Sequence, residues 1–151
     1  MTAKYTITIP NLADIKRVFD EAPEKTIRQI DTAVRKSILR IESAAKREAP
    51  VNKQSGGGNL RQSIRSQMTG IASGKVEVGV DYGVYVEEGT RPHIITVKNA
   101  KVLANKYTGQ MFGRTVKHPG TKANPFFQRG IDAAESDIID YFSKAVVNVF
   151  K

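Results

Sequence analysis

The stretch PEKTIRQIDTAVRKSILRIESAAKREAP, residues 23–50, decides the architecture. Within it Ile27, Ile30, Val34, Ile38, Ile41 and Ala45 recur at steps of three and four, the spacing of one helix face. Pro23 sits at the first turn, where a missing N–H costs nothing. Ala49-Pro50 ends the run, because the residue before a proline is driven away from the α region. The spacing therefore predicts one continuous helix running to about Glu48. Arg28, Arg35, Lys36, Arg40, Lys46 and Arg47 lie off the stripe. They form a basic outer side, mostly an ordinary solvated face, that also suits contact with a partner.

Upstream, Tyr5, Ile7 and Ile9 alternate with Lys4, Thr6 and Thr8, a period of two that reads as a short strand ended by Pro10. Asn11 then opens a short helix around Leu12–Phe19. Downstream, residues 51–58 read as a loop, and Asn59 is placed to cap a turn carrying Leu60 and Ile64. Gly70 and Gly74 flank a turn between two strands. In the second, Val76, Val78 and Val80 alternate with Lys75, Glu77 and Gly79. Asp81 is placed to cap a short helical segment that Gly89 ends, with Tyr82, Tyr85 and Val86 at helical spacing. Residues 91–123 read as an excursion of short strands turned by Thr108-Gly109-Gln110. Asn124-Pro125 opens a last helix, whose stripe runs from Phe127 through Ile131, Ala134, Ile138, Tyr141, Phe142 and Ala145 to Val149. No strand–helix–strand unit repeats, which argues against a parallel sheet. The expected fold is α+β: a mostly antiparallel sheet, two long helices packed on one face, and a protruding β-hairpin excursion. The length of 151 residues suits a single domain, 1–151, with a core of its own.

The charge is unevenly spread. Lys and Arg outnumber Asp and Glu by 24 to 15, a net +9 that calls for an anionic partner. Residues 91–122 hold Arg91, Lys98, Lys101, Lys106, Arg114, Lys117 and Lys122 and no acid, whereas the last helix holds Asp132, Glu135, Asp137 and Asp140. Different surfaces are thus expected to meet different neighbours. The absence of cysteine excludes disulfides and thiolate metal sites. The first ten residues lack the apolar run of a signal peptide, and no window has the length of a membrane span, so synthesis in the cytoplasm and no membrane partner are expected.

Little in the sequence suggests catalysis. His93 and His118 both sit in proline turns, and no motif assembles three or four metal ligands around them. Gly56, Gly57 and Gly58 lack the Lys-Ser/Thr that would make a phosphate loop. Glu87 and Glu88 are adjacent, but neighbours on a helix point in different directions. The simpler reading has one solvated and one bonding locally. The expectation is no enzyme, no catalytic residue, no metal and no cofactor. Tyr107 and Phe112 interleave with basic residues as in a single-strand binder, yet equally form the apolar face of a hairpin.

Five pieces stand in a familiar order: Gly58-Asn59-Leu60-Arg61-Gln62-Ser63-Ile64, the strand Val76–Val80, Tyr82-Gly83-Val84-Tyr85-Val86-Glu87-Glu88-Gly89-Thr90, His118-Pro119-Gly120-Thr121, and Asn124-Pro125-Phe126-Phe127. Over roughly residues 25–145 the chain resembles the tail-component family of tailed phages, the "gene product ten-like" neck and tail-completion proteins. It departs from the family pattern at Gln54-Ser55-Gly56-Gly57-Gly58, a longer and looser loop, and at Gly83, where a small residue such as alanine is common. The resemblance implies a structural virion protein of the neck or tail, forming a ring by self-association. A hexamer is expected, with a dodecamer as the alternative. Its neighbours would be head-closure or connector proteins and tail-terminator or tail-tube proteins, with double-stranded DNA passing through the channel. A non-specific nucleic-acid-binding protein is the alternative that the net charge suggests.

Two groups of residues follow from this reading. Arg91, Lys98, Lys101, Lys106, Arg114, Lys117 and Lys122 are expected to face a protein partner or DNA. Tyr82, Tyr85, Glu87, Glu88, Gly89, Thr90, Pro119, Gly120, Pro125 and Phe126 are expected to form a structural hub, with Tyr85 and Val86 packed on the sheet.

Overall fold

Helix α1, Glu24–Glu48, is the element on which the first hairpin and the last two helices pack. Glu24 lies in its first turn and Lys46 and Arg47 in its last, each at the end whose partial charge it opposes. Its last turn closes through Ala49, whose N–H donates to the Ala45 carbonyl at 2.9 Å, before Pro50 removes the next donor. The computed structural model describes residues 24–52, 57–98, 101–105 and 108–149. The strand read at Tyr5–Ile9 and the helix after Asn11 lie outside the described residues.

The buried side of α1 comprises Ile30, Ala33, Ser37, Ile38, Ile41, Ala44 and Ala45. At 100° per residue these span about 140°, more than a single packing seam requires. The breadth arises because α1 is covered from two directions. Along one edge Asp31, Ile38 and Glu42 meet a hairpin of β1, Ile64–Gly70, and β2, Ser73–Val78. Along the other, α1 carries α4, Phe126–Asp132, and α5, Glu135–Val149. Ser37, the one buried polar residue among the described residues, returns its hydroxyl to the Ala33 carbonyl at 2.8 Å.

The hairpin is antiparallel, with Ile64 opposite Val78, Ser66 opposite Val76 and Met68 opposite Gly74. Period two puts these on one face, against α1, and leaves Arg65, Gln67, Lys75 and Glu77 on the other. Ile64, Val76 and Val78 are almost wholly buried, each burial favouring the fold by about 1.5–3 kcal/mol. Gly74 makes room for Ile38: a Cβ there would lie 2.9 Å from its Cδ1. The turn is Ile71–Ala72, between the flanking glycines as expected, and Ala72 takes φ 50. That conformation costs a non-glycine residue about 1–2 kcal/mol. Asp31 offsets part of it by accepting the Ala72 N–H at 3.0 Å.

Between α1 and the hairpin runs α2, Asn59–Ser63, and after the hairpin α3, Gly83–Glu88. Neither starts on the expected cap. Gly58, at φ 125, precedes α2 where Asn59 was expected, and Tyr82 precedes α3 where Asp81 was expected; neither makes a side-chain capping bond. Strand β2 ends at Val78, because Gly79 turns its N–H to the Ser63 carbonyl at 3.0 Å. Val80 still packs on the core.

The excursion is a two-tier ribbon. Its lower tier pairs β3, His93–Thr96, with β6, Thr115–His118. Its upper tier pairs β4, Leu103–Ala104, with β5, Met111–Gly113. The fold is thus α+β with antiparallel strands throughout, but the single sheet expected from the sequence is three separate strand pairs.

The expected last helix is interrupted at Ala133–Ala134. Nothing local asks for this, since alanine is the best helix former. Arg40 on α1 donates to the Ala133 carbonyl at 3.0 Å and pairs with Asp137, holding a turn open in the ladder. The turn lets two segments lie on one partner: Gly130 of α4 rests on Ala45, and Ala145 of α5 packs with Ile30 and Ala33. At Gly130 a Cβ would lie 2.6 Å from both the Cα and N of Ala45.

Two predictions follow from this packing. Gly130→Ala gains about 1 kcal/mol of helix propensity, yet forces α4 away from backbone atoms that cannot yield, at a cost of about 1–3 kcal/mol. Denaturant unfolding should show net destabilisation, and a stabilised variant would refute the close approach. The second concerns Glu42, which accepts both the N–H of Ser66, at 2.7 Å, and its hydroxyl, and pairs with Lys46. Burial pushes its carboxyl up, but the hydrogen bonds from Lys46 and Ser66 outweigh burial and hold it below its ordinary value. A depressed carboxyl stabilises the fold above its unfolded-state pKa and loses that contribution as pH falls through its folded-state pKa. Glu42→Gln should therefore be less stable than the parent at neutral pH by about 1–2 kcal/mol. The gap should close as pH falls below about 4.

Candidate functional site

The ribbon is joined to the core by a clasp of short-range bonds. Thr90 and Thr121 face each other across its base: the Thr90 N–H donates to the Thr121 carbonyl at 2.9 Å, and the Thr121 N–H returns to the Thr90 carbonyl at 3.1 Å and its hydroxyl at 2.9 Å. Two glycines permit this approach. Gly89 has φ 74, and a Cβ there would lie 2.5 Å from the Thr121 carbonyl oxygen. Gly120 has φ 89, and its Cβ would lie 2.3 Å from that of Thr90. Above the clasp His93 and His118 pair across the strands and stack at 4.9 Å. The Gly120 N–H donates to His118 Nδ1 at 3.1 Å, so the turn containing Pro119 is closed by the ring itself.

Helix α3 ties the clasp to α4. The Glu87 carboxylate accepts the N–H of Phe127 at 2.8 Å and of Gln128 at 3.0 Å. It thus satisfies two of the amides that a helix start leaves without partners. Asn124 was expected to do this. Instead Pro125 stands at the cap position without a side-chain bond, and the Asn124 amide oxygen accepts from Arg129 at 2.8 Å. Arg129 also pairs with Glu48 at 2.8 Å, fastening α4 to the end of α1. The Asn124 N–H donates to the Val86 carbonyl at 2.9 Å. Glu87 therefore bonds forty residues away rather than locally, while Glu88 is exposed.

The remaining hub residues divide. Phe126 is fully buried, edge-on to Phe127 at 6.4 Å, and Val86 packs on the core. Tyr85 does not pack on the sheet. It is 59 % exposed, and Tyr82 is 46 % exposed. The helix turns Gly83 inward instead, where a Cβ would lie 2.6 Å from Val78 Cγ1. The absence of a side chain at that position was the signal for the buried side, and the two tyrosines obscured it.

The cations lie outside the clasp. Arg91, Lys98, Lys101, Arg114, Lys117 and Lys122 are all exposed, and none joins an ion pair among the described residues. Lys106, with Tyr107, lies outside the described residues. Directly opposed residues share a face, so Ile95 and Val116 share one with the histidine pair, and Ile94 and Lys117 share the other. The Val97 N–H donates to the Arg114 carbonyl at 3.0 Å, joining the two tiers. Ile94, Met111 and Phe112 are 65 %, 74 % and 44 % exposed. Among the described residues no three of His, Asp or Glu gather as metal ligands would. No helix of the described residues is long and apolar enough to cross a membrane.

A clasped, exposed, cationic ribbon on an α+β core is the arrangement of an assembly component rather than of a cleft for chemistry. The profile of the Bacteriophage HK97-gp10 tail-component family matches residues 13–89, half of the chain. The chain belongs to that family and is a structural tail component of a bacteriophage. The match takes in α1, the hairpin and α3, and stops at Gly89, the first residue of the clasp. Two of the five sequence pieces and all but the last residue of a third, Tyr82–Thr90, fall inside it, while those at His118–Thr121 and Asn124–Phe127 fall beyond. The comparisons with curated proteins and with solved structures find no match.

Removing the Glu87 carboxylate tests the tie. Glu87→Ala should cost about 0.5–2 kcal/mol, the usual loss on removing a helix cap, whereas Glu88→Gln should leave the unfolding midpoint nearly unchanged. Gly89→Val should prevent proper folding or assembly, read as loss of the native circular dichroism signal or of particles. Normal particles from Gly89→Val would overturn the clasp.

Proposed function

We propose that the chain is a structural ring subunit of the neck or tail-completion complex that joins head to tail. It would act as one domain, with the excursion 91–123 as its partner-facing arm. Membership of a tail-component family supports this reading. The observation that carries it is the ribbon itself: a firmly clasped arm that exposes apolar side chains and unpaired cations together, as a surface awaiting a partner does. The proposed partners are further copies of the chain, a hexamer in preference to a dodecamer, together with the head-closure or connector proteins and the tail-terminator or tail-tube proteins. The proposed location is the virion neck.

A second reading is favoured by the exposed cations alone: non-specific binding of the double-stranded DNA that would pass through the channel. One variant separates the two. Changing Lys101, Lys106, Arg114 and Lys117 together to glutamine should leave the melting temperature nearly unchanged, since exposed charges contribute little to stability. If the arm docks on protein, electron microscopy of infected-cell lysates should show heads and tails that fail to join. If it faces DNA, particles should assemble, retain DNA differently, and the logarithmic salt slope of DNA binding should fall by roughly 3–4. A chain found only free, never in virions, would sink the ring reading.

A further inference from the structure

Helix α5 has two apolar faces, and among the described residues only one of them is covered. Ile138, Tyr141, Phe142 and Ala145 turn toward α1. On the opposite side Ile139, Val146 and Val147 are 60 %, 50 % and 52 % exposed. At 100° per residue these three share one arc with the small Ser136 and Ser143, and Glu135 and Asp140 flank that arc. Single exposed apolar residues are ordinary, but a helix face that repeats them after about two turns is a contact surface that no described residue covers.

We propose that this face receives the ribbon of a second copy of the chain. The proposal rests on the ring reading above and names the contact that would build the ring. Three observations select a second copy as the occupant. The first is charge. Residues 91–122 carry only cations, whereas from Gly130 to Ser143 the chain carries Asp132, Glu135, Asp137 and Asp140 and no Lys or Arg. Asp137 is taken by Arg40 and Asp140 is shared with the exposed Lys144, which leaves Glu135 and the partly shared Asp140 at the rim of the α5 face. The second is the apolar match. Ile94, Met111 and Phe112 stand exposed among the cations, as Ile139, Val146 and Val147 stand exposed among the carboxylates. DNA would meet the cations and leave both apolar sets in water. The third is symmetry. Two copies that exchanged these unlike patches reciprocally would stop at a dimer, whereas a head-to-tail contact leaves one patch of each kind open for the next copy and closes into a ring when its rotation is a whole fraction of a turn. Complementary charge would set the register and the apolar centre would supply the affinity.

The chain has no cysteine, which makes the contact directly testable. A chain carrying both Met111→Cys and Val146→Cys should, in assembled particles treated with a short bismaleimide, give a ladder of dimers, trimers and higher species under reducing electrophoresis. Either single variant should give no ladder. In parallel, Glu135→Lys with Asp140→Lys should abolish incorporation into particles or weaken self-association at least tenfold. Adding Arg114→Glu and Lys117→Glu to the same chain should restore it. All four positions are exposed, and an unchanged melting temperature shows that the fold survives. Particles that hold several copies but give no ladder, with charge reversal silent, would overturn this contact and leave the ring standing. A single copy per particle would overturn the ring and the contact together. A ribbon whose reversal abolishes duplex-DNA binding, while the α5 reversals change nothing, would assign the ribbon to DNA and overturn the contact.

Discussion

The rest of the structure depends on how closely α4 approaches α1. Gly130 sits on the backbone of Ala45, at a separation no side chain could occupy, and Ala44, Ala49 and Ala134 are buried nearby. With small residues on both helices, the attraction comes from close backbone contact rather than from interdigitating bulk. That contact fixes where α4 begins, and so where its unpartnered amides point. Glu87 can reach them only because α3 is held on the far side of the core by Gly83 on Val78. Gly89 follows two residues later and meets Thr121 and Ala123. The position of the ribbon is thus tied, through one carboxylate, to the crossing of α4 on α1.

Helix α1 is what makes one helix crossing felt elsewhere. Its buried arc is wide because it serves two partners, and the polar groups at its margins each secure one of them. Asp31 holds the hairpin turn, Glu42 holds the open edge of β1 at Ser66, and Arg40 holds the bend between α4 and α5. Arg40 and Asp31 would read as ordinary solvated charges on a basic helix. Their partners lie forty or more residues away in sequence, so no local pattern reveals them.

The same distinction explains what the sequence did and did not disclose. The long helix was legible because its period of three and four reports burial directly, and the alternation at Val76 and Val78 was legible for the same reason. The strands of the excursion were legible as strands, and its turn glycine as a turn. Their nesting into two tiers was not, because the pairing of His93 with His118 joins residues whose local sequence says only that each precedes or follows a proline. Caps were misassigned at Asn59, Asp81 and Asn124 because a capping residue reports a preference, and tertiary partners overrode it: Glu87 serves α4 from across the fold. The break at Ala133 was invisible, since two alanines favour helix and only Arg40 disfavours it there. Tyr85 was expected on the sheet beside Val86, although a helix beside a tightly packed strand selects for the smallest residue, Gly83. The charge segregation could be read from composition alone, but not that the cations stand unpaired on a clasped arm.

The end of the family match at Gly89 falls on a physical boundary. Before it, chain segments are held by burial against α1. After it, the ribbon is held mainly by its own strand pairing, by the Thr90–Thr121 bonds and by the histidine stack. A two-stranded ribbon with both faces exposed has little burial of its own and is marginal alone. What gives it direction is the base: two left-handed glycines and a carboxylate that ties α3 to α4. Because α4 and α5 share one bend held by Arg40, a force applied to the ribbon passes through Glu87 into α4 and then to the bend from which α5 departs. The arm and the acidic helix are therefore positioned by a single set of contacts. The proposed ring contact would need such rigidity, because it pairs these two unlike surfaces on successive copies.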